Sequence, residues 1–405
     1  MAKARMLGLL GPAFVAAIAY VDPGNVAANI SAGARYGYLL VWVLILANVM
    51  AVLIQYLSSK LGLVTGRSLP VLIAGSLSKP GRLAYWVQAE IVAISTDLAE
   101  VVGGAIALRI LFGLPLLWGG VIVTLVSLVL LGVQNRRGQR IFEFVIMAFL
   151  GTITLGFVSG LFLTHIDWIE AAEGLIPRFE GPNTVVLAAS ILGATVMPHA
   201  IYLHSSLSVD RHGAQGEDTS QIKRLLSASR WDVVLALVVA GGVNLAMLLL
   251  AASALPGIEG TDTIEGAHAA ISSALGPWIG MAFGVGLLAS SLASTSVGCY
   301  AGAEIMQGLL QVKVPIVVRR GITVIPALII LGIGVEPTWA LVLSQVVLSV
   351  GIGFALVPLV RLTSQKKVMG EFVNGVALRA AALLVTVLIV ALNALMVWMV
   401  LTGKA

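Results

Sequence analysis

Long runs of apolar residues, each about the length of a bilayer-crossing helix, follow one another along nearly the whole chain. A helix needs about 20 apolar residues to cross the hydrocarbon core. Eleven runs meet that need: 7–33, 38–60, 85–111, 115–134, 142–164, 184–208, 231–255, 275–309, 316–334, 337–361 and 377–402. They are continuous, whereas the strands of a membrane barrel would alternate in segments of about ten residues. The pattern predicts an all-α polytopic membrane protein of about eleven transmembrane helices, built as a single domain over 1–405. The first run passes from Met6 into charged and Pro-Gly residues, not into a small-residue cleavage site, so it reads as an uncleaved signal.

Composition sharpens this picture. Only 11% of the 405 residues are charged and 59% are hydrophobic, with a mean hydropathy of +1.02. Soluble domains carry about 25% charged residues, and this chain has too few to cover a water-facing surface. Disorder, a secreted disulfide scaffold and nucleic-acid binding are excluded together. The one cysteine, Cys299, can form neither an internal disulfide nor a cysteine-based metal cluster. No obligate protein partner is evident.

Charge is also unevenly placed. With the amino terminus inside, 20 of the 24 Lys and Arg residues, including Lys3, Arg5 and Lys313, fall in inside segments. Only Arg35, Arg109, Arg178 and Lys404 fall outside. The positive-inside rule asks for this asymmetry, so the pI of 9.4 is a topology signal. The expected setting is the plasma (inner) membrane, multi-pass, with a cytoplasmic N-terminus and the C-terminus outside. The outer loops lean acidic through Asp167, Glu170, Glu173, Glu180, Glu259, Asp262, Glu265 and Glu336. They read as ordinary solvated loops or as a weak funnel for cations.

Two runs are interrupted. The first is broken at Tyr20-Val21-Asp22-Pro23-Gly24-Asn25, and the sixth at Ala194-Thr195-Val196-Met197-Pro198-His199. Pro23 and Pro198 each remove a helix hydrogen bond, and Gly24 favours other dihedrals. Backbone freed at membrane depth is tolerated only where it is buried or lines a cavity. The first and sixth positions correspond if 7–164 and 184–361 are two five-helix repeats, with 377–402 appended. An odd number of spans per repeat inverts the second copy. Paired breaks of this kind point to a transporter's central site.

The breaks deliver a carboxylate from Asp22, a neutral amide oxygen from Asn25, a free carbonyl near Ala194 and a thioether from Met197. Magnesium and calcium favour oxygen alone, whereas a mixed set with one carboxylate suits a borderline divalent ion such as manganese or iron. Met197 also reads as a flexible core filler. His199 and His204 are five apart and share no helical face, so they read as polar wall or proton carriers rather than joint ligands. The third run carries Glu90, Asp97 and Glu100 on one stripe, with Thr96 between. Carboxylates at that depth are costly and face a protein or aqueous interior. They read as a proton relay, as partners of Arg319 and Arg320, or as both. Gln55 and Gln345 read as interhelical hydrogen bonds or, less simply, as ligands.

Asp22-Pro23-Gly24-Asn25 followed by Met197-Pro198-His199, with Thr96-Asp97-Leu98-Ala99-Glu100 and Arg319-Arg320, resembles the Nramp divalent metal transporters over nearly the whole chain. The resemblance implies a LeuT-type inverted 5+5 repeat with helices 1 and 6 interrupted. It also implies proton-coupled import of manganese or ferrous iron, with no resident cofactor. By that resemblance the metal is held by Asp22, Asn25, the Ala194 carbonyl and Met197, and Gln345 joins it in some conformations. Asp97, Glu100, His199, His204 and Arg319 fall on positions linked to proton transfer. Magnesium-transporting relatives lack the methionine, so Met197 argues against that branch.

Three rivals remain. An organic-solute carrier on the same fold would bring its substrate carboxylate to a helix amino terminus, where Asp22 would repel it. An intramembrane enzyme lacks a motif: no His-Glu-x-x-His, Gly-x-Gly-Asp or Gly-x-Ser-x-Gly occurs. A passive channel lacks a repeated filter segment. If the Met197 thioether selects the ion, Met197→Ala relaxes selectivity more than it abolishes transport, because the remaining oxygens also serve calcium. Manganese and calcium uptake into vesicles measures this, and an unchanged calcium-to-manganese ratio would rule out a selecting sulfur.

Overall fold

Each of the eleven apolar runs is helical in the computed structural model, which describes residues 11–402 except 138, 213–218, 262 and 313. Lys3, Arg5, Asp262, Lys313, Lys404 and the start of the 7–33 run lie outside those residues. The first run divides into α1 (Pro12–Ala17), a 3-10 turn (Ile18–Val21) and α2 (Pro23–Tyr36). Then come α3 (Val41–Thr65), the short α4 (Leu69–Ser76), α5 (Lys79–Phe112), α6 (Leu116–Arg137), α7 (Gln139–Val158) and the short α8 (Trp168–Glu173). The sixth run divides into α9 (Pro182–Thr195) and α10 (Pro198–His212). After it follow α11 (Thr219–Ala254), α12 (Ile264–Leu275), α13 (Pro277–Leu310), α14 (Ile316–Gly332), α15 (Pro337–Thr363), α16 (Lys366–Met369) and α17 (Val376–Leu401).

By length and composition seven spans among the described residues can cross a membrane unaided, namely α3, α5, α7, α9 with α10, α11, α13 and α17. The end of α15 and the α16 segment form a further pair bent by 72°. The others are shorter: Pro12–Val21, Leu116–Gly132 and the 17 residues of α14. Hydropathy misplaces two starts. α5 begins at Lys79 and α11 at Thr219, well before the apolar positions 85 and 231, because helical hydrogen bonding continues into polar turns beyond the hydrocarbon. It also passes over α4, α8 and α12, which are too short to span.

Local chemistry sets the ends. Ser78 caps α5, with Pro80 in its first turn, and Gly113 closes it in the left-handed conformation at φ 69°. The amino end of α1 is held by Asp232 of α11, whose carboxylate accepts from the N–H groups of Gly11 (3.0 Å) and Ala13 (2.9 Å). Pro358 inside α15 cannot donate to the Phe354 carbonyl, and the Tyr85 hydroxyl of α5 takes that acceptor instead.

Buried apolar side chains form two clusters. One joins α1, α5, α7, α11 and α13; the other joins α3, α9 and α15 with one face of α2. The second break lies on their seam, since Val196 packs into one cluster and Met197 into the other. Small residues bring the backbones together there. Gly103 of α5 lies against Pro23, and Gly104 lies against Ser291 of α13, the close approach that small residues permit. At Gly33 of α2 a Cβ would meet the Leu248 carbonyl of α11 and lie 2.7 Å from Ala252 N. Those atoms are backbone and cannot move aside. Gly33→Val therefore costs more than the ~1–3 kcal/mol typical of overpacking, whereas Gly75→Ala, in open space, is near neutral. Thermal unfolding midpoints in detergent compare the two.

Candidate functional site

The two helix breaks meet. At the first, Asp22 leaves the helical conformation (φ −70°, ψ 168°) and caps α2, with Pro23 following as the first helical residue. Its Oδ1 accepts from the Asn25 backbone N–H and from Asn25 Nδ2, both at 2.8 Å. Asn25 Nδ2 also donates to the Ala194 carbonyl at 2.8 Å. That carbonyl belongs to the last turn of α9, beside the second break. One amide thus joins a carboxylate from the first broken span to a free carbonyl of the sixth.

The sequence reading has the Asn25 oxygen facing this point, but the structure presents its nitrogen. The reason is local: two acceptors converge there, and a donor satisfies both. Half a turn of the amide exchanges nitrogen for oxygen.

Gln345 of α15 closes the site from another side. A Cβ on Gly24 would collide with the Gln345 amide nitrogen and lie 3.3 Å from Asp22 Oδ2, so glycine is required for these groups to approach. Asp22 Oδ2 and both polar atoms of Gln345 are buried without a hydrogen-bond partner. Met197 opens α10, three residues after Ala194; it is wholly buried, and its carbonyl accepts from Ile201 N–H. No member of the set is more than 7% exposed, so the set is buried within the bundle. Among the described residues no group of three His, Cys, Asp or Glu side chains could hold a metal.

The freed backbone is accounted for by side chains the sequence reading did not single out. Asn244 Nδ2 donates to the Tyr20 carbonyl (2.6 Å) and Ser290 Oγ to the Val21 carbonyl (2.5 Å). Asn29 Nδ2 braces the Asn244 oxygen at 2.9 Å. A polar residue deep in an apolar run was the available signal for Asn244, but its partner backbone lies 224 residues away.

His199 and His204 join different neighbours. His204 Nδ1 lies 2.7 Å from Gln55 Oε1, and Gln55 Nε2 donates to the Tyr20 hydroxyl at 2.6 Å. The interhelical reading of Gln55 therefore holds. His199 Nδ1 lies 3.5 Å from Thr96 Oγ1 on α5. Further along α5, Asp97 pairs with Arg320 (2.6 Å) and Glu90 with Arg319 (2.9 Å), so both arginine partnerships form. Glu100 is wholly buried, lies against Gly298 of α13 and makes no ion pair among the described residues.

Residues 13–399 match the family model described as Nramp, natural resistance-associated macrophage protein-like. The chain belongs to the Nramp family. It is 58% identical over 395 residues to the divalent metal cation transporter MntH of Mycobacterium tuberculosis, covering 98% of this chain and 92% of that protein. Its identity to MntH of Bacillus subtilis is 45%, over 97% and 92% of the two chains. The structure is similar to the manganese transporter of Eremococcus coleocola, with a TM-score of 0.87 at 28% identity over 97% of this chain and 86% of that one. A weaker likeness to Mhp1, a nucleobase-cation-symport-1 family transporter, has a TM-score of 0.59 at 16% identity over 96% and 91% of the chains. It extends the fold beyond the Nramp family and says nothing of substrate.

The Asp97–Arg320 pair allows a direct test of the packing between α5 and α14. Removing one partner of a buried pair costs about 3–5 kcal/mol, because a charge is left unpaired. Asp97→Asn alone lowers the unfolding midpoint, and the double variant Asp97→Asn/Arg320→Gln recovers part of the loss. A thermal double-mutant cycle reads the coupling, and strictly additive losses would refute it.

Proposed function

We propose that the chain is a proton-coupled secondary transporter that imports divalent transition metal ions, manganese and ferrous iron, by alternating access. The observation that carries this reading is the meeting of the Asp22 carboxylate and the Ala194 carbonyl on one Asn25 amide. A cation that replaces the amide hydrogens there keeps both oxygens and gains the amide oxygen once Asn25 turns. Met197 adds sulfur, and the unpartnered Gln345 amide supplies a further oxygen when α15 brings it in. One carboxylate, neutral oxygens and a thioether suit a borderline divalent ion better than calcium or magnesium.

The named relatives, two divalent metal cation transporters and a manganese transporter, support the same substrate class. The shared fold alone does not separate this reading from an organic-solute carrier. The charge does: Asp22 Oδ2 has no partner and would repel a substrate carboxylate.

Protons take a different path in this proposal. Glu100, Asp97 and Glu90 form a line of carboxylates along α5, with Arg319 and Arg320 beside them. Protons can move between such groups where a metal ion finds no ligand set. His199 and His204 connect the second break to α5 and to Gln55. We take 7–164 and 184–361 as inverted repeats of a single domain over 1–405, with 377–402 appended. The domain sits in the plasma membrane with its N-terminus cytoplasmic and its C-terminus outside.

Reconstituted vesicles test the proposal. Manganese uptake rises with an inward proton gradient and is lost in Asp22→Asn, together with metal binding by calorimetry. Glu100→Gln retains metal binding but weakens metal-stimulated acidification of the vesicle. Wild-type manganese affinity in Asp22→Asn would remove Asp22 from the ligand set, and proportional loss of both fluxes in Glu100→Gln would reject a separate proton path.

A further inference from the structure

The end of the bundle where α15 stops and α17 starts carries a feature that transport does not use. A groove of about 320 Å³ opens between the two helices, lined by Val357, Val360, Arg361, Ser364, Arg379 and Leu383. Arg361 also faces an adjoining cavity of about 200 Å³ walled by Ile73, Leu77 and Tyr85. The groove has two kinds of wall. Val357 and Leu383 are 50% and 48% exposed and offer an apolar side. Arg361 and Arg379 are exposed at its polar end, and no carboxylate lies within ion-pair distance of either among the described residues. The Ser364 hydroxyl is buried there without a hydrogen-bond partner.

Two guanidinium groups without counter-ions, a spare hydroxyl and an apolar slot running toward the hydrocarbon match one ligand class. Guanidinium binds phosphate oxygens through paired N–H groups, and basic pockets between helices at a membrane surface collect anionic headgroups. We propose that this groove binds an anionic glycerophospholipid, its phosphate between Arg361 and Arg379 and an acyl chain along Val357 and Leu383. A zwitterionic headgroup fits less well, because its ammonium would sit beside two arginines, with Lys366 and Lys367 exposed on the following turn. The occupant touches α15, the helix that carries Gln345, at Val357 and Arg361 on either side of Pro358.

Native mass spectrometry of the detergent-solubilised protein, titrated with dioleoylphosphatidylglycerol, dioleoylphosphatidylcholine or inorganic phosphate, tests this. The wild type binds a first phosphatidylglycerol more tightly than phosphatidylcholine. Arg361→Gln/Arg379→Gln weakens that binding roughly tenfold, whereas Lys366→Gln/Lys367→Gln, with the same loss of charge, retains it. Equal phosphatidylglycerol binding by the arginine variant, or equal binding of phosphatidylcholine by the wild type, overturns the proposal. Full displacement of the lipid by inorganic phosphate would also overturn it, assigning the arginines to a free anion. All four residues are exposed, and circular dichroism with thermal unfolding confirms that each variant is folded. No metal is involved, so failure of the transport reading leaves this result intact.

Discussion

A carbonyl or amide left unpaired in hydrocarbon costs on the order of several kcal/mol, and no water is present to take it. Two of the eleven apolar runs break this constraint locally, and much of the interior is arranged around meeting it again. Tyr20 and Val21 surrender their carbonyls to Asn244 and Ser290, the Ala194 carbonyl is met by Asn25, and Asp22 caps the helix that restarts after it. Three of these four donors or acceptors come from a different span than the backbone group they satisfy or the site they join. The breaks are therefore held by tertiary structure, not by local sequence alone.

The same groups give the site its chemistry. A carbonyl released from a helix is a ligand as well as a liability, and the aspartate that caps a new helix keeps one oxygen free. Gly24 leaves room for the Gln345 amide beside the first break, and Gly103 lets α5 lie against Pro23. Charge follows a parallel rule. Glu90 and Asp97 stand on α5 at membrane depth because Arg319 and Arg320 of α14 come to meet them, while Glu100 has no such partner among the described residues. The α5 wall beside the breaks thus holds two neutralised carboxylates and one that makes no ion pair among the described residues, a division that supports the proposed proton route.

Much was legible in the chain. Run lengths and the scarcity of charge specified an all-helical membrane protein, and Pro23, Gly24 and Pro198 marked where helix must fail. Each of these follows from local physics: hydrophobic length, charge placement and a missing N–H act within a few residues of where they are read. Short helices such as α4 and α12, and the polar starts of α5 and α11, were not legible, since hydropathy senses lipid and not helical hydrogen bonding.

Partnerships were beyond sequence. That Asn25 turns its nitrogen to Ala194, that Asn244 serves Tyr20, and that Arg320 takes Asp97 while Arg319 takes Glu90 depend on which helix faces which. The chain by itself determined the parts: eleven hydrophobic lengths, two breaks, and a set of donors and charges that cannot face lipid. Only the tertiary structure decided which of them meet, because a buried polar group is satisfied by whatever packing brings within about 3 Å, and that is set by the whole bundle.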